Sequence, residues 1–280
     1  MNCTKTCPLS GIKRIFLATD GSEFSTGAER EAIRFAKRCS SKLTVMSAMV
    51  TFTDYEGFSA AKLEAKKESE LRKCLDSVQE KASKETIECE SIIGSGTPHE
   101  AIVEEARKSK ADIIFIGRRG RKGLAKLLLG EEAAKVIANA PCVVMVVPRA
   151  AKIDFKSILV ATDGSVHSLA AVAEAVGIAK CCGSGIIAVS AMRDVSESDE
   201  AKANVEKVVE IAENNGVPVE TLTPVGRSYD VIVETAAGRG VDLIVVGTYG
   251  KTGIKKMFMG SSTEKVISNA GCAVLIVKAQ

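Results

Sequence analysis

The sequence predicts an α/β protein built twice: two repeats of an open five-stranded parallel sheet, each sandwiched by helices. Three observations carry that reading. Short Val- and Ile-rich runs, apolar on both faces, alternate with amphipathic helical stretches, the pattern of a buried parallel sheet with right-handed crossovers. "IFLATDGS" ending at Ser22 returns as "ILVATDGS" ending at Ser165, and "ADIIFIGRRG" ending at Gly120 returns as "VDLIVVGTYG" ending at Gly250. The chain of 280 residues is also about two ordinary domains long, so each copy can bury its own core.

Taken in order, the apolar runs place strands of the first repeat near 12–19, 42–49, 86–93, 112–117 and 142–147. Helices fall near 24–39, 56–83, 98–109 and 131–139; in the first, Ile33, Phe35, Ala36 and Cys39 share one face. The second repeat has strands near 156–162, 185–191, 218–223, 242–247 and 272–277. Early matches are offset by 143 residues and late ones by 130, so the second copy lacks 13 residues between Met192 and Gly226. The corresponding stretch of the first copy, Thr51 to Lys84, is charged and reads as a surface helix with its loop. The units are 1–148 and 154–280, with a linker at 149–153 too short for loose tethering, so they should pack together.

Bulk properties narrow the function classes. A net charge of +3 gives no reason to expect a nucleic-acid partner, and with no Trp, three Tyr and eight Phe there is little for bases to stack on. The sequence shows no secretory signal and no run of membrane-spanning length, so a cytoplasmic location without membrane contact is expected. Nine cysteines without regular spacing argue against a disulfide framework. Cys142 and Cys272, like Cys39 and Cys182, hold equivalent places in apolar surroundings and read as small buried hydrophobes. Cys3, Cys7, Cys181 and Cys182 have no activating neighbour in sequence, and two histidines, His99 and His167, do not make a metal site.

An open parallel sheet binds ligands at the carboxyl ends of its strands, where two loops stand out in each repeat. The loop after the fourth strand of the second repeat, "GTYGKTGIKKMFMGSSTEKV", contains "GKT" but is not a Walker A loop, because the first glycine of that motif would fall on Val245, inside a strand. "GSGTPH" likewise fails as a dinucleotide fingerprint. What remains is Gly247, Gly250 and then Gly260-Ser261 at a helix start. Glycines let backbone amides approach a phosphate, and the free N–H groups of a helix N-terminus attract an anion. Ser261 and Thr263 offer hydroxyls. The ligand-free alternative is a capping box between Ser261 and Glu264.

The first repeat has Glu131, Glu132 and Ala133 where the second has Ser261, Ser262 and Thr263. Glutamates suit the helix dipole but repel a phosphate by kcal/mol in a partly desolvated cleft. The first copy should therefore keep its helix and lose its anion site, although it retains Gly117, Gly120 and Gly130. Its basic residues Arg118, Arg119, Arg121, Lys122 and Lys126 read as a solvated loop partly neutralised by Glu131 and Glu132. The other loop, "ATDGS", offers Asp20 and Asp163, each either a ribose-binding carboxylate or the cap of the next helix.

With these features, "LVATDGS" and "GTYGKTGIKKMFMGS" above all, the chain resembles the universal stress protein family in its tandem form, over nearly its whole length. The resemblance implies an adenine nucleotide alpha hydrolase-like sheet in the order 3-2-1-4-5, holding ATP or AMP at its carboxyl edge, with Mg accompanying ATP. It places Asp163 at the ribose or adenine, Ala191 and Val246 at the adenine, and Gly247, Thr248 and Gly250 at the ribose and phosphates. Gly260, Ser261, Ser262 and Thr263 would surround the phosphates. It also implies pairing of the two fifth strands as an internal pseudo-dimer, with a homodimer as a further step. The expected function is a stress-response protein that senses or regulates by binding nucleotide through its second repeat. The enzymatic alternative is slow ATP hydrolysis or nucleotidyl transfer, for which the sequence shows no general base with an orienting partner.

Overall fold

The computed structural model describes residues 7, 9, 11–49, 58–118, 129–250 and 259–279. The first repeat comprises strands β1 (Arg14–Ala18), β2 (Lys42–Met49), β3 (Cys89–Ser95), β4 (Ile113–Gly117) and β5 (Val143–Val147). Between them run helices α1 (Thr26–Cys39), α2 (Phe58–Lys84), α3 (Pro98–Lys108) and α4 (Glu131–Asn139). The second repeat comprises β6 (Ser157–Ala161), α5 (Val166–Cys182), β7 (Gly185–Val189), α6 (Ser198–Glu213), β8 (Val219–Leu222), α7 (Ser228–Gly238), β9 (Leu243–Gly247), α8 (Ser261–Asn269) and β10 (Ala273–Val277). The fold is α/β with a mainly parallel sheet, as the alternation of short apolar runs and amphipathic segments predicts.

All ten strands form one sheet in the order β3-β2-β1-β4-β5-β10-β9-β6-β7-β8. Neighbours within each repeat run parallel, while β5 and β10 meet antiparallel, with Val146 opposite Val274 and Met145 opposite Leu275. Strand side chains alternate between two cores. Ile15 and Leu17 face the core under α1, α2, α5 and α6, whereas Phe16 and Ala18 face the one under α3, α4, α7 and α8.

Most expected element boundaries lie within two residues of the observed ones, but two expectations need revision. The third strand begins at Cys89 and not near 86, because Thr86 takes a left-handed conformation (φ 60°) that ends the turn after α2, and Ile87 N–H still donates back to Ala82 O. Helix α2 is more than a surface helix. Leu71, Leu75, Val78 and Ala82 recur along one face and are buried. It is 27 residues long against 16 for α6, which accounts for most of the 13-residue difference between repeats.

The linker lies flat along α1. Ala151, Ile153 and Phe155 are buried, and Phe155 meets Phe35 edge to face at 5.5 Å. Buried Glu31 accepts from Arg34 at 2.9 Å and from the Ile153 backbone at 3.3 Å, so helix and linker share one polar anchor. Arg30 donates to Ala151 O, and Arg34 reaches Asp154 at 2.8 Å.

The cysteine reading is corrected at one position. Cys39 is not a lone buried thiol; it forms a disulfide with Cys7, whose Cα lies 4.4 Å away. The partners are 32 residues apart and follow no framework spacing, so only the docking of the N-terminal arm on the end of α1 reveals them. Cys182, equivalent to Cys39 in the second repeat, is buried beside Arg38, 3.2 Å from its Nη2. Burial pushes the Cys142 thiol up to about 12 and that of Cys272 up to about 11, which makes both poor nucleophiles. Cys3 lies outside the described residues.

Candidate functional site

The second repeat opens a cleft of about 840 Å³ at the carboxyl ends of β6, β7 and β9, roofed by the first turns of α7 and α8. Nine of the ten residues singled out from sequence line it: Asp163, Ala191, Val246, Gly247, Gly250, Gly260, Ser261, Ser262 and Thr263. Thr248 does not. It is buried, its N–H and hydroxyl both donate to Val277 O, and its carbonyl accepts from Gly260 N at 3.0 Å. Its place at the wall is taken by Tyr249. Lys251 and Thr252 of "GKT" lie outside the described residues.

The glycines have different physical reasons. A Cβ at Gly247 would sit 2.7 Å from the carbonyl carbon of His167, so this glycine lets β9 abut the first turn of α5. Gly117 likewise lets β4 abut the turn that leads into α1, where a Cβ would sit 2.6 Å from Phe24 O, so packing accounts for this glycine without a ligand. At Gly250 a Cβ would come within 2.5 Å of Asp163 Oδ2, so the loop passes directly over that carboxylate. Gly260 has ordinary backbone angles (φ −58°, ψ 135°) that any residue adopts.

Helix α8 begins without a side-chain cap. Its N-cap is Gly260, so Ser261 is the first helical residue, and the capping box with Glu264 does not form. The first-turn N–H groups and the positive end of the dipole thus face the cleft. Ser261 and Ser262 are exposed there, with Ser262 Oγ 3.0 Å from Ser228 Oγ on α7. The Thr263 hydroxyl is already spent: it donates to Gly247 O at 2.9 Å and ties helix to strand. Asp163 Oδ1 accepts from Ser165 N at 3.0 Å, while the Ser165 hydroxyl caps α5.

Sequence reasoning missed the charged side chains of the rim, where Glu197 and Glu200 stand with three basic residues and Arg227 pairs with Asp230 at 2.8 Å. Arg193, Arg227 and Lys265 line the cleft beside Tyr229, whose ring has Lys265 Nζ 4.7 Å and the Arg227 guanidinium 5.4 Å from its centroid. Arg227 and Tyr229 replace Thr97 and His99 at the 130 offset, so a position-by-position comparison of repeats outside the glycine loop would have exposed them.

The first repeat has an internal contact at the equivalent position. Glu132 Oε2 accepts from the His99 backbone N–H at 2.9 Å and lies 3.0 Å from His99 Nδ1, so its carboxylate caps the N-terminus of α3. Partial burial pushes that carboxyl up, but the bonds from His99 outweigh it and hold it below the usual range. Glu131 turns outward to Lys135 at 2.7 Å. Asp20 accepts from Ser22 N at 3.0 Å and from Ser25 Oγ at 2.5 Å; burial raises its pKa, and these bonds bring it net below normal. In the second repeat the equivalent hydroxyl, Ser168, turns to Ser165 O instead. Arg118 is no solvated loop residue: it is buried and donates to carbonyls of α8. Gly120, Arg119, Arg121, Lys122 and Lys126 lie outside the described residues.

Among the described residues no helix is long and apolar enough to cross a membrane, and no group of three or more His, Cys, Asp or Glu is placed to hold a metal.

This geometry can be set beside known proteins. A universal stress protein of Methanocaldococcus jannaschii is 37% identical over 141 residues, covering 44% of this chain and 82% of its own. One of Thermus aquaticus is 34% identical over 136 residues, covering 44% of this chain and 99% of its own. Both relatives thus correspond to one repeat. A solved universal stress protein from Archaeoglobus fulgidus shares the doubled architecture, with a TM-score of 0.78 over 99% of this chain and 98% of that one at 21% identity. The model of the universal stress protein family matches residues 11–148 and again 154–278. With both halves matched and the sheet built twice, the chain belongs to the universal stress protein family, in tandem form.

Proposed function

We propose that the chain is a cytoplasmic sensor or regulator that binds one adenine nucleotide, ATP or AMP, in the cleft of its second repeat. The observation that carries this reading is the uncapped start of α8, open to a cleft lined by Ser261, Ser262 and Lys265, where the first repeat has Glu132 bound to the start of α3. Asp163 would hold the ribose, while Ala191 and Val246 would flank the adenine. Gly250, Gly260, Ser261 and Ser262 would bring backbone amides and hydroxyls to the phosphates, with Mg²⁺ entering alongside ATP. Thr248 and Thr263 shape the loop from behind. The β5–β10 seam is read as an internal pseudo-dimer that leaves homodimerisation as a separate step.

Calorimetric titration of the purified chain with ATP and with AMP should give one site per chain. Two sites would remove the asymmetry, and no uptake of either nucleotide would remove the function. Phosphate release from ATP that disappears in Asp163→Ala would make the protein a slow ATPase instead.

A further inference from the structure

Arg118 opens the loop after β4, at the position equivalent to Thr248 in the second repeat. Its side chain crosses the seam between repeats. Nη1 lies 2.8 Å from Ile267 O, 3.3 Å from Ser268 O and 2.5 Å from Ala270 O, all in the last turn and C-cap of α8. Leu129 N–H, where the same loop rejoins the described chain, donates to Ser268 Oγ at 3.1 Å. The last carbonyls of a helix lack intrahelical donors and carry the negative end of its dipole, so a buried guanidinium is a strong partner for them.

The contact runs one way. At the same offset Thr248 commits its hydroxyl to Val277 O, and Ala138, without a hydroxyl, stands where Ser268 accepts. Arg118 and Leu129 of the first repeat thus brace the helix whose other end opens the cleft of the second. Helix α8 is nine residues long, about 13 Å, and rigid over that distance.

We infer that Arg118 is a positioning residue for the neighbouring repeat's phosphate site, holding α8 so that Gly260, Ser261 and Ser262 stay aimed into the cleft. This rests on the proposed nucleotide reading. Helix N-termini contribute only within their first turn, so a small tilt of α8 weakens phosphate contacts and spares the adenosine contacts on β6, β7 and β9.

The test compares Arg118→Met and Arg118→Lys with the unaltered full chain, measuring ATP and adenosine affinity together with amide exchange in 261–269. Met keeps the unbranched apolar stem of the side chain and removes its donors; Lys keeps the charge. For Arg118→Met we expect ATP affinity to fall on the order of tenfold, adenosine affinity to stay within about twofold, and faster exchange across α8 without nucleotide. Lys should fall between. Unchanged ATP affinity in a folded variant overturns the inference, as does an equal loss for ATP and adenosine. Should the Met variant fail to fold, Arg118→Lys decides on the same two ligands. If the unaltered chain takes up no ATP, the nucleotide reading fails by itself, and unchanged α8 exchange in the variants would then also end the strut.

Discussion

Glu132 and Ser262 stand at the same point of the two repeats, 130 residues apart, on helices that start the same way. Both helices have a glycine N-cap and neither has a side-chain cap, yet Glu132 is bonded to the start of α3 while Ser262 is exposed at the second repeat's cleft. The same division runs through the loops beneath them. Asp20 is held by Ser25, whereas Ser168 is turned away from Asp163. Arg118 leaves its own loop to brace α8, whereas Thr248 stays on β10. On one backbone scaffold, then, the first repeat spends on internal contacts several side-chain positions that the second repeat leaves at its cleft.

Transplanting the acidic pair should break the comparison most strongly. Ser261→Glu with Ser262→Glu gives the second repeat the first repeat's helix start; ATP affinity should drop by about a hundredfold or more, since like charges a few ångströms apart in a half-dry cleft repel by several kcal/mol. Adenosine should still bind. Titration of the two ligands against the variant measures both, and ATP bound at its normal strength would show that the glutamates do not set the asymmetry.

The glycines shared by both repeats should behave alike, because they answer the same packing need. Gly117→Ala pushes a methyl into the backbone of the turn before α1 and Gly247→Ala into the first turn of α5, and backbone cannot give way as a side-chain tip can. Each should cost about 1–3 kcal/mol of unfolding free energy, with a lower denaturation midpoint. If Gly247→Ala proves stable but defective only in nucleotide binding, the ligand and not helix packing explains that glycine.

The smallest contrast lies at Asp112 and Asp242, equivalent residues at the feet of β4 and β9. Asp112 accepts from Lys13 N, Arg14 N and the Arg14 guanidinium; burial raises its pKa, but these bonds take it below normal. Asp242 is raised, by burial first, and its Oδ1 has no partner. A depressed carboxyl contributes stability above its unfolded pKa that is lost as pH falls through the folded one. A raised carboxyl favours the fold below its unfolded pKa and loses that contribution as pH climbs through the folded value. At neutral pH, Asp112→Asn should therefore destabilise by roughly 1 kcal/mol, and Asp242→Asn should be neutral or mildly stabilising. Thermal melts at pH 7 and near pH 3 should show the two variants converging in acid; the same ranking at both pH values would contradict this account.

Periodicity and internal repetition made nearly all of the fold legible, because strands buried on both faces are written as continuous apolar runs. The cleft was legible through its glycines and Asp163, because local backbone demands leave local marks. Thr248 and Thr263 misled, since a hydroxyl in a loop has no sequence mark for whether it points at a ligand or a carbonyl. Tyr229 and Arg118 lie far in sequence from Lys265 and α8, which they touch, and the Cys7–Cys39 bond joins residues 32 apart.

By itself, then, the sequence determined two α/β units, their strands and helices, and which unit keeps hydroxyls and which has carboxylates at its fourth helix. Those properties depend on spacing and residue type within a few turns of chain. Tertiary structure alone decided that Glu132 binds the start of α3, that charged side chains of both signs border the second repeat's cleft, and that Arg118 reaches α8. A side chain's hydrogen-bond partner is chosen by what the fold brings within about 3 Å, and that is fixed only when the whole sheet is assembled.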